Sequence, residues 1–419
     1  MKNKKREDLD KLLNPKKIAI IGASPKKEKV GNILIRKLSK FNGKLFFINP
    51  NYEKILNKKS FKSIKDCKEN IDLVIIAIPA KKINNIIKEC GEKKIKNIII
   101  ISSGFSEIGN KELEKNLLKT AQKYNINLLG PNCFGIINTH LNLNATFSKE
   151  SPNKGSIAFI SQSGALGSYI FDMNDKKYSL SKFISLGNMA DIGFSDIIKI
   201  LNKDKDTKSI VLYIEKIKNG KEFIDICKKS KKEIIVIKTG KSKKASKAAI
   251  SHTGSIATDF NIYKGAFKQA GIKTAKNLES AFDYLNIKTK PKGNKILILT
   301  NAGGAGALMT DYCIENNLNV IKQPIDILGT AKSQDYKKEL NQIKKSNKYD
   351  LLIIILTPQE MSEPEKTAKE IIKISKKKPV ITCFLGEKSI KKSEKILKEN
   401  NIPFFNNLEK CAQAIGVFN

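Results

Sequence analysis

Histidine and arginine are almost missing from this 419-residue chain: His140 and His252, Arg6 and Arg36 are all it has. Without guanidinium forks, bidentate reading of guanine edges is excluded as a main function, even at a formal net charge of +37. The lysines lie along every segment, mixed with Ile and Asn, rather than in one stripe or tail. The charge therefore reads as a compositional bias, and no specific nucleic-acid partner is expected. Seven cysteines (67, 90, 133, 227, 313, 383 and 411) are scattered, odd in number and without a CxxC pair. That pattern excludes a disulfide framework and a zinc site, so no metal is expected and a reducing, cytoplasmic location is. No apolar run approaches the length needed to cross a bilayer, which excludes a membrane role through helices. The basic start, residues 1–17, leads into Ile18-Ala19-Ile20-Ile21-Gly22, too short for a signal-peptide core and better read as a first strand.

What is present is a regular alternation. Short β-branched runs at 18–21, 45–48, 73–78, 97–101, 156–160, 209–214, 234–237, 295–299, 351–356 and 379–384 are separated by longer, Lys-rich amphipathic stretches. Continuous apolar strands between helical patterns predict parallel sheets covered on both faces, hence doubly wound α/β domains. Polar and Pro/Gly clusters near 148–153 and 288–293 divide the chain into three expected domains, 1–147, 148–290 and 291–419. Each opens on a strand running into a glycine turn: Gly22-Ala23-Ser24, Ser161-Gln162-Ser163-Gly164 and Asn301-Ala302-Gly303-Gly304. Such a unit aims backbone N–H groups and a helix dipole at one point, which suits phosphate.

In the first domain, Gly22, Ala23 and Ser24 are followed by Lys29, Val30 and Gly31, a spacing that is not GxGxxG, so the usual NAD fingerprint fails. Asn49-Pro50, Pro79 and Ser103-Gly104 end the following strands, where ligands of open α/β sheets bind. A nucleotide-containing ligand is expected there, and the residues leave NAD and coenzyme A both open. Gly130-Pro131-Asn132-Cys133-Phe134-Gly135 closes the domain, with the Asn132 amide offered to a ligand and Cys133 and His140 read as structural. In the second domain, Ser161, Gln162, Ser163 and Gly164 supply hydroxyl and amide hydrogens for a phosphate at a helix start. His252 stands in Ser251-His252-Thr253-Gly254, preceded by Lys238, Lys241, Lys243, Lys244 and Lys247, which favour an incoming phosphate. Neutral imidazole is a competent nucleophile near pH 7. Glu215 ends the strand 210–214, and a carboxylate there can accept the Nδ1 proton and leave Nε2 free to attack.

With these segments in this order, and with Pro324-Ile325-Asp326-Ile327-Leu328-Gly329 and Leu356-Thr357-Pro358-Gln359 beyond them, the chain resembles the NDP-forming acyl-CoA synthetases, most closely the α subunits of ADP-forming acetate–CoA ligases. The resemblance implies a Rossmann-like coenzyme A-binding domain followed by two flavodoxin-like domains. It implies that Gly22, Ala23, Ser24, Val30 and Pro79 line the coenzyme A site. It implies that His252 becomes phosphorylated, with Glu215 orienting it and Ser161, Ser163 and Gly164 holding the phosphoryl group. Acyl-CoA and phosphate would give acyl phosphate, then phosphohistidine, then ATP. The family's nucleotide half is an ATP-grasp domain, and the resemblance implies that Mg-ADP or Mg-ATP binds through a separate β subunit in an α2β2 assembly. One departure is Asn51, where the family is often basic. The competing expectation is a coenzyme A-binding regulator of the same fold without ligase activity, which the presence of both His252 and Glu215 disfavours.

Overall fold

The computed structural model describes residues 6, 8–173, 178–240, 242, 260–288 and 290–418. It forms two compact units, Met1–Ile272 and Lys273–Asn419.

The first unit holds two sheets. Strands β1 (Lys17–Ile21), β2 (Lys44–Ile48), β3 (Lys54–Ile55), β4 (Lys58–Phe61), β5 (Leu73–Ile76), β6 (Asn97–Ile100) and β7 (Asn127–Leu129) are ordered β3-β4-β2-β1-β5-β6-β7. Apart from the antiparallel β3–β4 pair, all are parallel. The parallel strands thus take the 3-2-1-4-5-6 order of a Rossmann sheet, and the order reverses between β1 and β5. Both faces of the central strands are covered, so β5 is apolar throughout and β1, β6 and β7 are apolar after their first residue. All four residues of β5 are fully buried, and one face packs α2 (Ala80–Glu92) and α3 (Lys111–Lys123) through Ile83, Ile87 and Leu117. Each such Ile or Leu contributes about 1.5–3 kcal/mol by leaving water.

The second sheet begins earlier than the polar cluster at 148–153 suggests. Strands β8 (Gly135–Asn138) and β9 (Leu143–Thr146) form an antiparallel hairpin that joins it, with β8 pairing antiparallel to β11 (Leu180–Ser185). From there run β10 (Lys154–Ser161), β12 (Ser209–Ile214) and β13 (Glu233–Lys238), all parallel, in the order β13-β12-β10-β11-β8-β9. Its parallel part is flavodoxin-like, and its order reverses between β10 and β12. One continuous core runs from Ile18 and Ile75 of the first sheet to Ile160, Leu212 and Val236 of the second.

The second unit opens with the two-residue strand β14 (Lys273–Thr274). Its sheet, β16 (Asn319–Val320), β15 (Lys295–Thr300), β18 (Leu351–Leu356), β19 (Val380–Phe384) and β20 (Phe404–Phe405), is parallel in that order, with β17 (Ile325–Asp326) pairing β15 off the path. This too is the 2-1-3-4-5 flavodoxin order. The fold is therefore α/β with three sheets, one Rossmann-like and two flavodoxin-like. Among the described residues, no helix is long and apolar enough to cross a membrane.

Candidate active site

The order-reversal points of both sheets in the first unit face one cleft of about 1130 Å³, larger than the usual pocket for a small molecule. It begins at the end of β1. Gly22 has φ +90°, and a Cβ there would sit 2.4 Å from the Ala77 carbonyl oxygen. A Cβ on Gly31 would lie 1.9 Å from the Gly22 carbonyl, so the first turn of α1 (Val30–Lys37) touches the β1 turn directly. Asn49 Nδ2 donates to the Ala23 carbonyl at 2.7 Å, and Asn32 Nδ2 to the Ser24 carbonyl at 3.0 Å, fixing the turn from both sides. No side chain caps α1 or α4 (Gly164–Asp172) among the described residues, leaving their first N–H groups for the cleft.

Of the expected ligand-binding residues, Gly22, Ser24, Lys29, Val30, Asn49, Pro79, Ser103, Asn132, Gln162, Ser163, Gly164 and Glu215 all line this cleft. The structure does not bring Ala23, Pro50, Gly104 or Ser161 to its wall. Ala23 is fully buried, and its carbonyl serves Asn49. Gly104 donates its N–H to Glu107 at 2.5 Å. Ser161, also fully buried, donates its hydroxyl to the Ser163 carbonyl at 2.6 Å and accepts from Ser163 N at 3.1 Å, so it shapes the turn. Pro50 is exposed beside the cleft. His252, Lys241, Lys243, Lys244 and Lys247 lie outside the described residues.

Gln162 does something the sequence did not suggest. Its Oε1 accepts from Glu215 N at 2.7 Å and Lys216 N at 2.9 Å, pinning the turn after β12 to the end of β10. Its amide oxygen is thereby committed to the backbone rather than to a ligand. Beside this turn, burial pushes the pKa of Lys216 below its ordinary value, with the charges of Glu114 and Glu215 opposing the shift. On the other wall, Asn188 Nδ2 donates to Glu107 Oε2 at 2.7 Å, Glu114 Oε2 at 2.8 Å and Ser106 Oγ at 3.1 Å, while Asn132 Nδ2 donates to Asn188 Oδ1 at 3.2 Å. Burial would raise the Glu107 pKa, but hydrogen bonds from Asn188 and from the N–H groups of Gly104 and Phe105 outweigh it and hold the carboxyl below its usual range. Tyr52, Phe134, Phe147 and Asn188 also face the cleft and were not anticipated. Asn188 follows β11 in a Leu-Gly-Asn turn, the same strand-end signal used elsewhere.

Cys133 is 3 % exposed, donates to the Ile100 carbonyl at 3.3 Å and has its thiol pushed up to about 12 by burial, which disfavours the reactive thiolate. His140 sits between the Gly155 carbonyl, 3.0 Å from Nε2, and Asp206, 3.3 Å from Nδ1, away from the cleft. In the second unit, a Cβ on Gly303 would meet the Asp326 carboxylate at 2.8 Å, which places an internal anion at the third glycine turn.

A Rossmann sheet and a flavodoxin-like sheet sharing one cleft define a nucleotide-binding α/β protein with a second, phosphate-suited turn. Residues 16–139 match the family model of a CoA-binding domain, and residues 154–287 that of a succinyl-CoA ligase-like flavodoxin domain. The chain is 38 % identical to the Acetate–CoA ligase [ADP-forming] II subunit alpha of Pyrococcus furiosus, covering 97 % of this chain and 96 % of that one. It is 36 % identical to Acetate–CoA ligase [ADP-forming] I of Archaeoglobus fulgidus, over 98 % of its own length but 63 % of that relative's. The solved dinucleotide-forming acetyl-coenzyme A synthetase 1 of Ca. Korarchaeum cryptofilum, in complex with phosphate and ADP, superposes with a TM-score of 0.87 at 33 % identity, covering 98 % of this chain and 96 % of that one. The chain belongs to the ADP-forming acetate–CoA ligase family.

Proposed function

We propose that this chain is the acyl-transfer half of an ADP-forming acyl-CoA synthetase, an acid–thiol ligase with acetate as the default acid. The observation that carries the reading is the single cleft in which the β1–α1 turn meets the Ser163–Gly164 turn and Glu215. Its residues fit coenzyme A. Uncapped N–H groups and Lys26 and Lys29 suit phosphates at the rim, while Val30, Ile78, Pro79 and Ile101 offer an apolar wall for a long thiol arm. Phosphate attacks the thioester carbonyl of acyl-CoA, expelling the thiolate and giving acyl phosphate. His252 then attacks phosphorus, and the carboxylate leaves as the free acid. Phosphohistidine finally passes its phosphoryl group to ADP, making ATP. The Ser163 hydroxyl and the Gly164 N–H would hold the phosphoryl oxygens, and Glu215 would orient the imidazole.

The ADP step needs an ATP-grasp partner, consistent with relatives named as α subunits, and we place the complex as α2β2 in the cytoplasm. The test is intact-mass and phosphopeptide analysis at neutral or alkaline pH after incubation with acetyl-CoA and phosphate, alone and with an ATP-grasp partner and ATP. An acid-labile phosphoryl group on His252 is expected. Its absence under both conditions would return the chain to the coenzyme A-binding regulator.

A further inference from the structure

The last residue of β13 is Lys238, only 8 % exposed. An ammonium so enclosed must find acceptors within the protein, because losing water is costly for a cation. Its Nζ donates to the Glu215 carbonyl at 2.9 Å and to the Thr239 carbonyl, and it lies 4.5 Å from the centre of the Tyr263 ring. Burial lowers its pKa to about 8, against the opposing charge of Glu215.

Each of these three contacts has a place in the fold. Glu215 follows β12, whose neighbours are β10 on one side and β13 on the other. Gln162, from the end of β10, holds the Glu215 N–H at 2.7 Å, and Lys238, from the end of β13, holds its carbonyl. The backbone from which the Glu215 carboxylate departs is thus gripped on both sides by side chains of the flanking strands. Thr239 directly follows β13, and Tyr263 lies on the helix Phe260–Gln269.

We propose that Lys238 is a positioning residue for phosphoryl transfer: its ammonium ties the Glu215 peptide to Thr239 and Tyr263. The role rests on the reading of His252 as the phosphorylated residue. Lys238 is not among the residues that line the cleft; it acts by fixing Glu215.

The experiment uses the complete enzyme with its ATP-grasp partner, measuring coenzyme A binding by calorimetry and phosphohistidine formation by rapid-quench labelling. Lys238→Met keeps the aliphatic stem and removes every donor. The phosphorylation rate is expected to fall about 10- to 100-fold, with the coenzyme A dissociation constant unchanged within about twofold. In a Glu215→Gln background, the same substitution should add less than about threefold, because both changes disable one device. A multiplicative loss there, or a wild-type rate in the single variant, overturns the proposal. If Lys238→Met does not fold, Tyr263→Leu decides. A slower phosphorylation with normal coenzyme A binding sustains the role, and a wild-type rate ends it. A wild-type enzyme that never carries phosphate on His252 overturns the functional reading as well. A phosphorylated wild type with an unimpaired Lys238→Met removes only Lys238.

Discussion

Replacing Gln162 by Leu separates two roles for this side chain. The volume is nearly kept, so the main change is that the Glu215 and Lys216 N–H groups lose the acceptor they hold at 2.7 and 2.9 Å. A buried N–H left without a partner costs about 1–3 kcal/mol. Because Gln162 borders the cleft, water can reach part of the gap, and the lower end of that range applies to each group. Two such losses come to about 2–3 kcal/mol, which for a unit of this size is a melting-temperature drop of roughly 4–5 °C. Calorimetry of the ligand-free protein measures it directly. A residue that served only to bind phosphate would leave the ligand-free transition in place and weaken only the stabilisation that added phosphate confers. A ligand-free shift below about 1 °C would therefore refute the strut and restore Gln162 as a ligand.

Gly31→Ala should weaken coenzyme A binding by on the order of 10–100-fold, since the new methyl would stand 1.9 Å from the Gly22 carbonyl and α1 must back away; titration calorimetry showing wild-type affinity contradicts this. With its thiol held near 12, Cys133 presents only ~1 thiolate in 10,000 at pH 8, so a brief iodoacetamide pulse on the native protein should leave it unlabelled by peptide mass spectrometry. Glu107 has a depressed pKa, so its contribution to stability is complete above the ordinary value of 4.5 and fades as pH falls through the lowered one. Glu107→Gln should accordingly lower the melting temperature at pH 7 by more than it does near pH 3; equal shifts at both would show that the carboxylate charge is not what Asn188 and the backbone are holding.

The β-branched runs were legible because a strand buried on both faces carries its own signature. The runs 18–21, 209–214 and 351–356, among others, became β1, β12 and β18. Strand β11, Leu180-Ser181-Lys182-Phe183-Ile184-Ser185, was missed for the opposite reason: every residue is buried, yet half are polar. Lys182 is fully enclosed because its ammonium reaches Asp204 at 2.7 Å, and Ser181 bonds Thr207 at 2.7 Å, partners no local pattern reveals. The Pro and polar cluster after it puts the hairpin 135–146 at the end of the first domain, whereas its strand β8 pairs with β11 of the second sheet. In the site, glycine turns and strand ends mark loops that border the cleft. What they could not show is which side chains face the ligand and which brace the backbone, since Ser161 and Gln162 carry the same donors as a phosphate ligand would need.

The hairpin has a consequence for how the molecule can be cut. The chain leaves β7, passes through Gly130–Phe134 beside the cleft, and only then lays down two strands at the edge of the second sheet. A fragment ending at the polar cluster near 148 would carry away that edge, stripping β11 of its neighbour and baring a hydrogen-bonding row to aggregation. A fragment ending before Gly135 would instead keep both sheets whole but sever the strand-crossing peptide that walls the cleft. Any exchange of the nucleotide-binding module between relatives must therefore choose between an intact sheet and an intact site, and the two will be inherited as one piece.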